Sequence, residues 1–332
     1  MNSSRISIVF AWAAILFLIT SGQARAVCVI TGASASPLTA STGTYTPPNP
    51  LGAQATPITI QLTYLALLGG TCTLAMSFHR ATVPASMALA GGGSASLPYT
   101  LQSSSSGGDT LFYTGGTPNA SNSLIYSFNA PALGIPVNSS TTFMIYALAQ
   151  PGNPQQAGSY QDSVTLDLFN IALNLLVTQV SSQAFLVTGQ VAKSCTIGGV
   201  THPSADMATI PITADGSVNT SSINRSYSNA ICNTPTNVQL TSQNGAVVTG
   251  GLGNGLQRLI DYNALATFSG ATASLNTAAV PGASGPESGT VASTTGNTPT
   301  GTLGVSIMPQ LNTQPLVAGS YSDTLTITLT PQ

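Results

Sequence analysis

The side chains best suited to chemistry are few. Histidines stand only at 79 and 202, and the carboxylates are Asp109, Asp162, Asp167, Asp206, Asp215, Asp261, Asp323 and Glu287. Cleaving a glycosidic bond takes two carboxylates that flank it. In the first half only Asp109, Asp162 and Asp167 are available. Asp162 closes the segment Gly158-Ser159-Tyr160-Gln161-Asp162, which returns as Gly319-Ser320-Tyr321-Ser322-Asp323. A repeated Asp beside a repeated Tyr fits a turn fixed by backbone hydrogen bonds better than catalysis. Sugar clefts commonly use Trp platforms, and the one Trp here, Trp12, lies in the N-terminal leader. A serine nucleophile needs a positioned histidine. His79, next to Arg80, reads as a turn or surface residue, and His202 lies near Asp206 without a triad motif. The expectation is therefore no catalytic residue, no metal and no cofactor. An exported carbohydrate-active enzyme stands as the remote alternative.

The leader itself is a secretory signal. Arg5 precedes an apolar run from Ile6 to Thr20, and Ala24-Arg25-Ala26 supplies a small-x-small cleavage pattern. The run is short for a membrane span. Residues 1–26 are thus expected to be removed. The chain's formal charge of −2 becomes −4 once Arg5 and Arg25 are lost. Charged residues make up 4% of the chain, against about 25% in an ordinary soluble domain. Its surface must be covered by Ser, Thr, Asn, Gln and Gly, and without a basic patch nucleic acid is excluded as a partner.

Export also frames Cys28, Cys72, Cys195 and Cys232. An even count in an exported chain reads as disulfides, and zinc would favour short C-x-x-C spacing. Of the three connectivities, Cys28–Cys72 with Cys195–Cys232 is favoured because each pair then falls in its own half. Each loop of about 40 residues would stabilise by about 4 kcal/mol on the chain-entropy model.

The elements that hold these residues read as strands. Apolar residues alternate in Pro57 to Tyr64 and Thr71 to Phe78. Thr141 to Leu148, Val238 to Leu240, Ala246 to Val248 and Thr302 to Met308 are β-rich as well. Gly, Pro, Ser and Asn clusters separate them. The length, about 150 residues per half, and the Gly-Ser-Tyr-x-Asp repeat at an offset of 319 − 158 = 161 indicate two copies of one all-β domain. Each copy is expected to be a β-sandwich. The expected division is 27–180, then 181–191 as linker or self-complementing strand, then 192–332.

The copies differ at their ends. After its repeat strand the first continues through strand-like Ile171 to Val180 and Ala184 to Val191, whereas the second carries nothing after Leu325, Ile327 and Leu329. The second sandwich is expected to lack its last strand and to accept one from a neighbour along those residues. Cys195 follows a β-rich arm, but Cys28 follows only Val27 in the mature chain. A subunit that accepts a strand and has none to donate sits at one end of a fibre.

Both halves resemble the spore coat protein U domain, the subunit domain of archaic (Csu-type) chaperone–usher pili. The resemblance rests on Cys28, Gly43-Thr44-Tyr45-Thr46-Pro47, Leu97-Pro98-Tyr99 and the first Gly-Ser-Tyr-x-Asp segment, then on Cys195 and the second such segment. It implies an immunoglobulin-like fold and donor-strand assembly. The implied partners are a periplasmic pilus chaperone, an outer-membrane usher and an adjacent pilin that donates its N-terminal strand. A two-domain member resembles the tip adhesin, exported through the periplasm to the pilus tip for attachment to surfaces and biofilm formation. A non-tip structural pilus or coat subunit is the alternative. Tip adhesins of this kind imply apolar loops that meet a target surface. Candidates here are Leu67 and Leu68, Met87 and Leu89, and Leu133 and Ile135, the last two set off by flanking prolines. Drying such loops gains about 25 cal/mol per Å².

Overall fold

The computed structural model describes residues 28–332 apart from 50, 67–69, 81–83, 108–109, 115–118, 120, 132–133, 153, 173–175, 202, 251–254 and 280–284. The expected leader, Leu67, Leu68, Leu133, Asp109 and His202 thus lie outside the described residues. Alternating Val, Ile, Leu and Thr, punctuated by Gly and Pro, give strands throughout. Among the described residues the helical content is one 3₁₀ turn, Thr277–Ala279, and no helix is long and apolar enough to cross a membrane.

The strands of the first half are β1 (Cys28–Ser36), β2 (Thr39–Tyr45), β3 (Gln54–Ala66), β4 (Gly70–His79), β5 (Ala85–Leu89), β6 (Ser96–Gln102), β7 (Phe112–Tyr113), β8 (Leu124–Ala130), β9 (Val137–Ala149), β10 (Gly158–Ala172) and β11 (Leu176–Val191). Those of the second are β12 (Cys195–Ile197), β13 (Ile223–Cys232), β14 (Thr236–Ser242), β15 (Val247–Val248), β16 (Leu259–Ile260), β17 (Tyr262–Phe268), β18 (Ala271–Asn276), β19 (Glu287–Ser293), β20 (Thr300–Pro309) and β21 (Leu325–Pro331). The chain divides into two compact units. Unit 1 holds residues through Gly43, Leu51–Gln150 and Ser159–Gly189; unit 2 holds Thr44–Pro50, Pro151–Gly158 and Gln190–Gln332.

Unit 1 is a sandwich made from one continuous ladder. One layer runs β1-β3-β9-β6-β5; the other contains β4, β10, β11 and β2, with β7 and β8 on the outer edge of β4. Strand β10 joins the layers by switching partners: Tyr160 and Gln161 pair with β5, and Thr165–Asn170 pair with β4. A strand that changes sheets is how a sandwich turns a corner. Alternate residues of each layer form the core, among them Ile58, Ile60, Leu74, Met76, Leu166, Leu168, Phe185 and Val187, all fully buried. The Cys28–Cys72 disulfide ties β1 in one layer to β4 in the other.

Unit 2 packs the five-stranded sheet β12-β13-β20-β17-β18 against the three-stranded sheet β19-β14-β21. Leu240, Val238, Ala264, Phe268, Ala273 and Leu303 fill the space between them. Its disulfide, Cys195–Cys232, links register partners within one sheet.

The two units repeat in register as well as in motif. In unit 1, Tyr99 of β6 faces Ala149 of β9, and Leu166 and Leu168 of β10 face Phe78 and Met76 of β4. In unit 2, Tyr262 of β17 faces Pro309 of β20, and Ile327 and Leu329 of β21 face Leu240 and Val238 of β14. The all-β, two-sandwich reading of the sequence holds.

Two segments depart from the expected boundaries. The stretch expected as a strand from Ile171 to Val180 is divided, because β10 ends at Ala172 and β11 starts at Leu176. Residues 181–191, expected as linker or self-complementing strand, form the second half of β11 with Phe185 and Val187 buried in the core. The expected loop Met87 to Ala90 is mostly strand β5.

Candidate functional site

Strand β21 pairs along its whole length with β14, from Leu325 opposite Ser242 to Pro331 opposite Thr236. Among the described residues no strand pairs with its other edge. The alternation of Leu325, Ile327 and Leu329 with Thr326, Thr328 and Thr330 turns the apolar set inward. Those three side chains pack against the unit 2 core but are only half-buried. Their counterparts in unit 1, Val164, Leu166 and Leu168, are 4%, 0% and 0% exposed. The difference has a visible cause. Strand β10 has β11 on its far edge, and β11 sends Phe185 and Val187, both 0% exposed, into the core. Gly189 continues the same inward series. A Cβ there would overlap Thr42 Oγ1 and stand 2.9 Å from Met87 Cε, so the backbone of β11 lies directly on the core.

One flank of the unit 2 sandwich is closed and the other is not. On the closed flank Ser274 of β18 donates its N–H to Thr290 Oγ1 of β19 at 2.9 Å, and Gly289 admits the close approach because a Cβ would overlap Ser274 O. On the other flank the short strand β12 approaches β21, with Cys195 and Ile197 left half-buried beside the β21 residues. The candidate donor-strand residues Leu325, Ile327 and Leu329 therefore line one apolar, partly open flank.

The start of β21 is clamped. Asp323 Oδ2 accepts Tyr262 O–H at 2.6 Å and Ser242 Oγ–H at 2.6 Å, and Asp323 Oδ1 accepts the Asn244 N–H at 3.0 Å. Burial drives the Tyr262 hydroxyl's pKa well above the usual tyrosine range, and the bond to Asp323 adds to it. Tyr321 donates its hydroxyl to Val317 O at 2.9 Å, with Gln257 O at 3.1 Å, a tyrosine-corner arrangement. Unit 1 repeats the clamp: Tyr99 O–H donates to Asp162 Oδ2 at 2.7 Å, and Arg80 ion-pairs with Asp162. Desolvation raises the Tyr99 pKa to about 12 although Arg80 pulls it down. Asp323 thus holds the turn ahead of β21, partly through the backbone N–H of Asn244 as the sequence suggests, whereas Asp162 lies within strand β10 and accepts from side chains. Their chief donors, however, are tyrosine hydroxyls some 60 residues away (|i−j| of 63 and 61), in addition to a backbone N–H at Asp323.

Among the described carboxylates, Asp167 and Asp206 are engaged as well. Asp167 is buried and accepts Tyr113 O–H and Gln179 Nε2–H. Asp206 pairs with Arg225 at 3.1 Å. His79 lies against Tyr113, with ring centroids 5.1 Å apart. The cysteines form the two expected disulfides. Among the described residues no group of three or more His, Cys, Asp or Glu is placed to hold a metal ion.

The described apolar candidates, Ile135 on the one hand and Met87 and Leu89 on the other, fall toward opposite ends of unit 1. Gly70 faces Ala130, Tyr64 faces Val137, and Gly134 N–H donates to Ala66 O at 3.2 Å, so the β3–β4 and β8–β9 connections leave the same end. Ile135 stands there, 60% exposed. Strand β10 runs antiparallel to β4 and ends at that end too. The β5–β6 turn lies at the other end, where Leu89 faces Tyr160. Met87 is 0% exposed and points into the core, and Leu89 is half-buried in β5. Neither belongs to a projecting loop, because their alternation is that of a paired strand.

No protein-family profile matches the chain, and no curated protein does. Solved structures do match. The CsuC–CsuE chaperone–tip adhesion subunit pre-assembly complex from archaic chaperone-usher Csu pili of Acinetobacter baumannii aligns with TM-score 0.40 and 14% identity, covering 91% of this chain and 99% of that chain. The CupB6 tip adhesin from Pseudomonas aeruginosa aligns with TM-score 0.32 and 10% identity over 92% and 95%. The CooA pilin subunit from enterotoxigenic Escherichia coli aligns with TM-score 0.27 and 12% identity over 50% and 97%. At these identities the likeness concerns the fold alone.

Proposed function

We propose that this chain is the adhesive tip subunit of a chaperone–usher pilus, binding and assembling rather than catalysing. One observation carries the reading: the same strand is covered in one unit and bare along an edge in the other. Strand β10 is completed by β11 of its own chain, whereas β21 offers one row of backbone groups and three half-buried apolar side chains. An exposed edge of this kind is a template for β-strand addition. The adjacent pilin's N-terminal strand completes unit 2. A periplasmic chaperone protects the same edge before assembly, and an outer-membrane usher carries the subunit to the surface. The end of unit 1 that bears Ile135, with the β3–β4 and β8–β9 connections beside it, meets the target surface and supports biofilm attachment. The engagement of Asp162 and Asp167 in structural hydrogen bonds supports binding over hydrolysis.

Mixing tests the assignment. The protein is co-purified with its chaperone, and a synthetic peptide copying the N-terminal arm of a shaft pilin from the same organism is added. Displacement of the chaperone with a rise in Tm is the expected result. A chaperone-free monomer whose Tm ignores the peptide overturns it. Incorporation of the chain at positions along the shaft, seen by immunogold labelling, favours the structural-subunit alternative instead.

A further inference from the structure

The clamp on Asp323 does more than hold a turn. We infer that Asp323 is the positioning residue of the strand-accepting edge: through Tyr262, Ser242 and Asn244 it fixes the register of β21 before any partner strand arrives. The inference rests on the proposed strand-accepting role of β21 and concerns how that edge is prepared.

A slip of one residue turns every side chain over, so a buried apolar face specifies register strongly. The apolar side of β21 is only half-buried and the strand is bonded along one edge, so a contact outside the ladder adds to what its pattern specifies. For β21 such a slip would present Thr326, Thr328 and Thr330 to the core in place of Leu325, Ile327 and Leu329. Asp323 stands two residues before the first of these. Its carboxylate takes donors from two other elements, the end of β14 and the start of β17, one from each sheet of the sandwich. Three acceptor contacts from different directions leave it a single position. The far end of β21 is tied as well, by Gln332 N–H to Pro235 O at 2.8 Å and Thr234 Oγ1–H to Gln332 O at 2.8 Å. The edge between these ties is thus presented at full length and in one register.

Unit 1 provides an internal comparison. Asp162 repeats the tyrosine contact, but there Arg80 shares the carboxylate and β11 covers the strand. Register in unit 1 is fixed three ways. In unit 2 Asp323 accepts only neutral donors among its hydrogen bonds, and no covering strand assists it. Loss of Asp323 should therefore be felt along β21, whereas loss of Asp162 should be felt locally.

The test compares Asp323→Asn, Tyr262→Phe and Asp162→Asn in the full-length chain by hydrogen exchange, with no peptide present. The β21 amides are expected to lose protection about tenfold or more in Asp323→Asn, the equivalent of one charge-assisted hydrogen bond, and by a smaller factor in Tyr262→Phe. In Asp162→Asn the β10 amides keep theirs. A second readout adds a peptide copying residues 183–191, the strand that covers β10. Asp323→Asn is expected to take it up at least about tenfold more slowly than the parent, on the same argument. Unchanged protection of β21 in both unit 2 variants overturns the inference, whatever the peptide does. Failure of the parent itself to bind any strand peptide, with β21 protection still dependent on Asp323, overturns the accepting role while leaving the register clamp in place.

Discussion

Gly189 leaves no room for a side chain: a Cβ would meet Thr42 Oγ1, Met87 Cε and Leu97 Cδ2. All three side chains are buried and the closest contact is to the short side chain of Thr42, so Gly189→Ala should destabilise unit 1 by about 1–3 kcal/mol, the range for overpacking. Thermal unfolding followed by circular dichroism checks this, with Gly270→Ser in unit 2 as a turn control whose cost comes from its positive φ rather than from crowding. Two carboxylates of unit 2 respond to acid in an unusual direction. Desolvation raises the pKa of Asp261, and desolvation followed by repulsion from Asp261 raises that of Glu287. A raised folded pKa means that the folded state binds the proton more tightly than the unfolded one. Stability is therefore gained as pH falls through the folded values and is absent at neutral pH. The Tm of unit 2 should rise modestly as pH falls from 7 toward the ordinary carboxylate range, and Glu287→Gln should remove part of that rise. A Tm that falls over this interval in the parent would contradict the assigned directions.

One substitution placed at two equivalent positions reads out what covers a strand. Leu166 of β10 is 0% exposed, whereas Ile327 of β21 is half-buried at an uncovered edge. Leu166→Thr buries a hydroxyl and opens a cavity, costing about 2–4 kcal/mol. Ile327→Thr should cost about 1 kcal/mol, because much less apolar surface is lost there. Urea titration gives both numbers, and the gap between them should close once a strand peptide occupies the β21 edge. Strands such as β3, β4 and β20 are legible in the sequence because a half-buried strand must alternate, and their ends move by only a few residues in the structure. Met87 was not legible as core. A short strand next to Gly91-Gly92-Gly93 has the composition of a loop, and only its pairing with Leu97 places it inside. The disulfides are legible because they follow from cysteine count and halves. The tyrosine–aspartate clamps are not, since their members meet across the sandwich and no local spacing records the pairing. The only sign is that both tyrosines, like both aspartates, recur at nearly the same offset: 262 − 99 = 163 and 323 − 162 = 161.

For the molecule as a whole, near absence of charge and one disulfide per unit make a joint prediction. Among the described residues the ion pairs are Arg80–Asp162 and Arg225–Asp206, the second exposed and of the kind that contributes little. Sodium chloride between 0.05 and 1 M should therefore move the melting temperatures by no more than about 2 °C, since little is available to be screened. Reduction acts differently. Loops of 44 and 37 residues are closed by Cys28–Cys72 and Cys195–Cys232, each contributing about 4 kcal/mol on the chain-entropy model. That is a large share of the about 5–15 kcal/mol that holds a domain. The two units are not equally able to lose it. Unit 1 has a completed sandwich and a disulfide that spans its layers. Unit 2 has an uncovered β21 and a disulfide within one sheet. Calorimetry should therefore resolve two transitions, and reductant should abolish the one belonging to unit 2 at a lower concentration. A strand peptide bound at β21 should restore the unit 2 transition under reducing conditions and leave the unit 1 transition where it was, because ligand binding stabilises only the state that binds it. A peptide that shifts both transitions equally, or a single transition unaffected by it, would mean that the two sandwiches are alike in completeness and that the bare edge of β21 has no role in assembly.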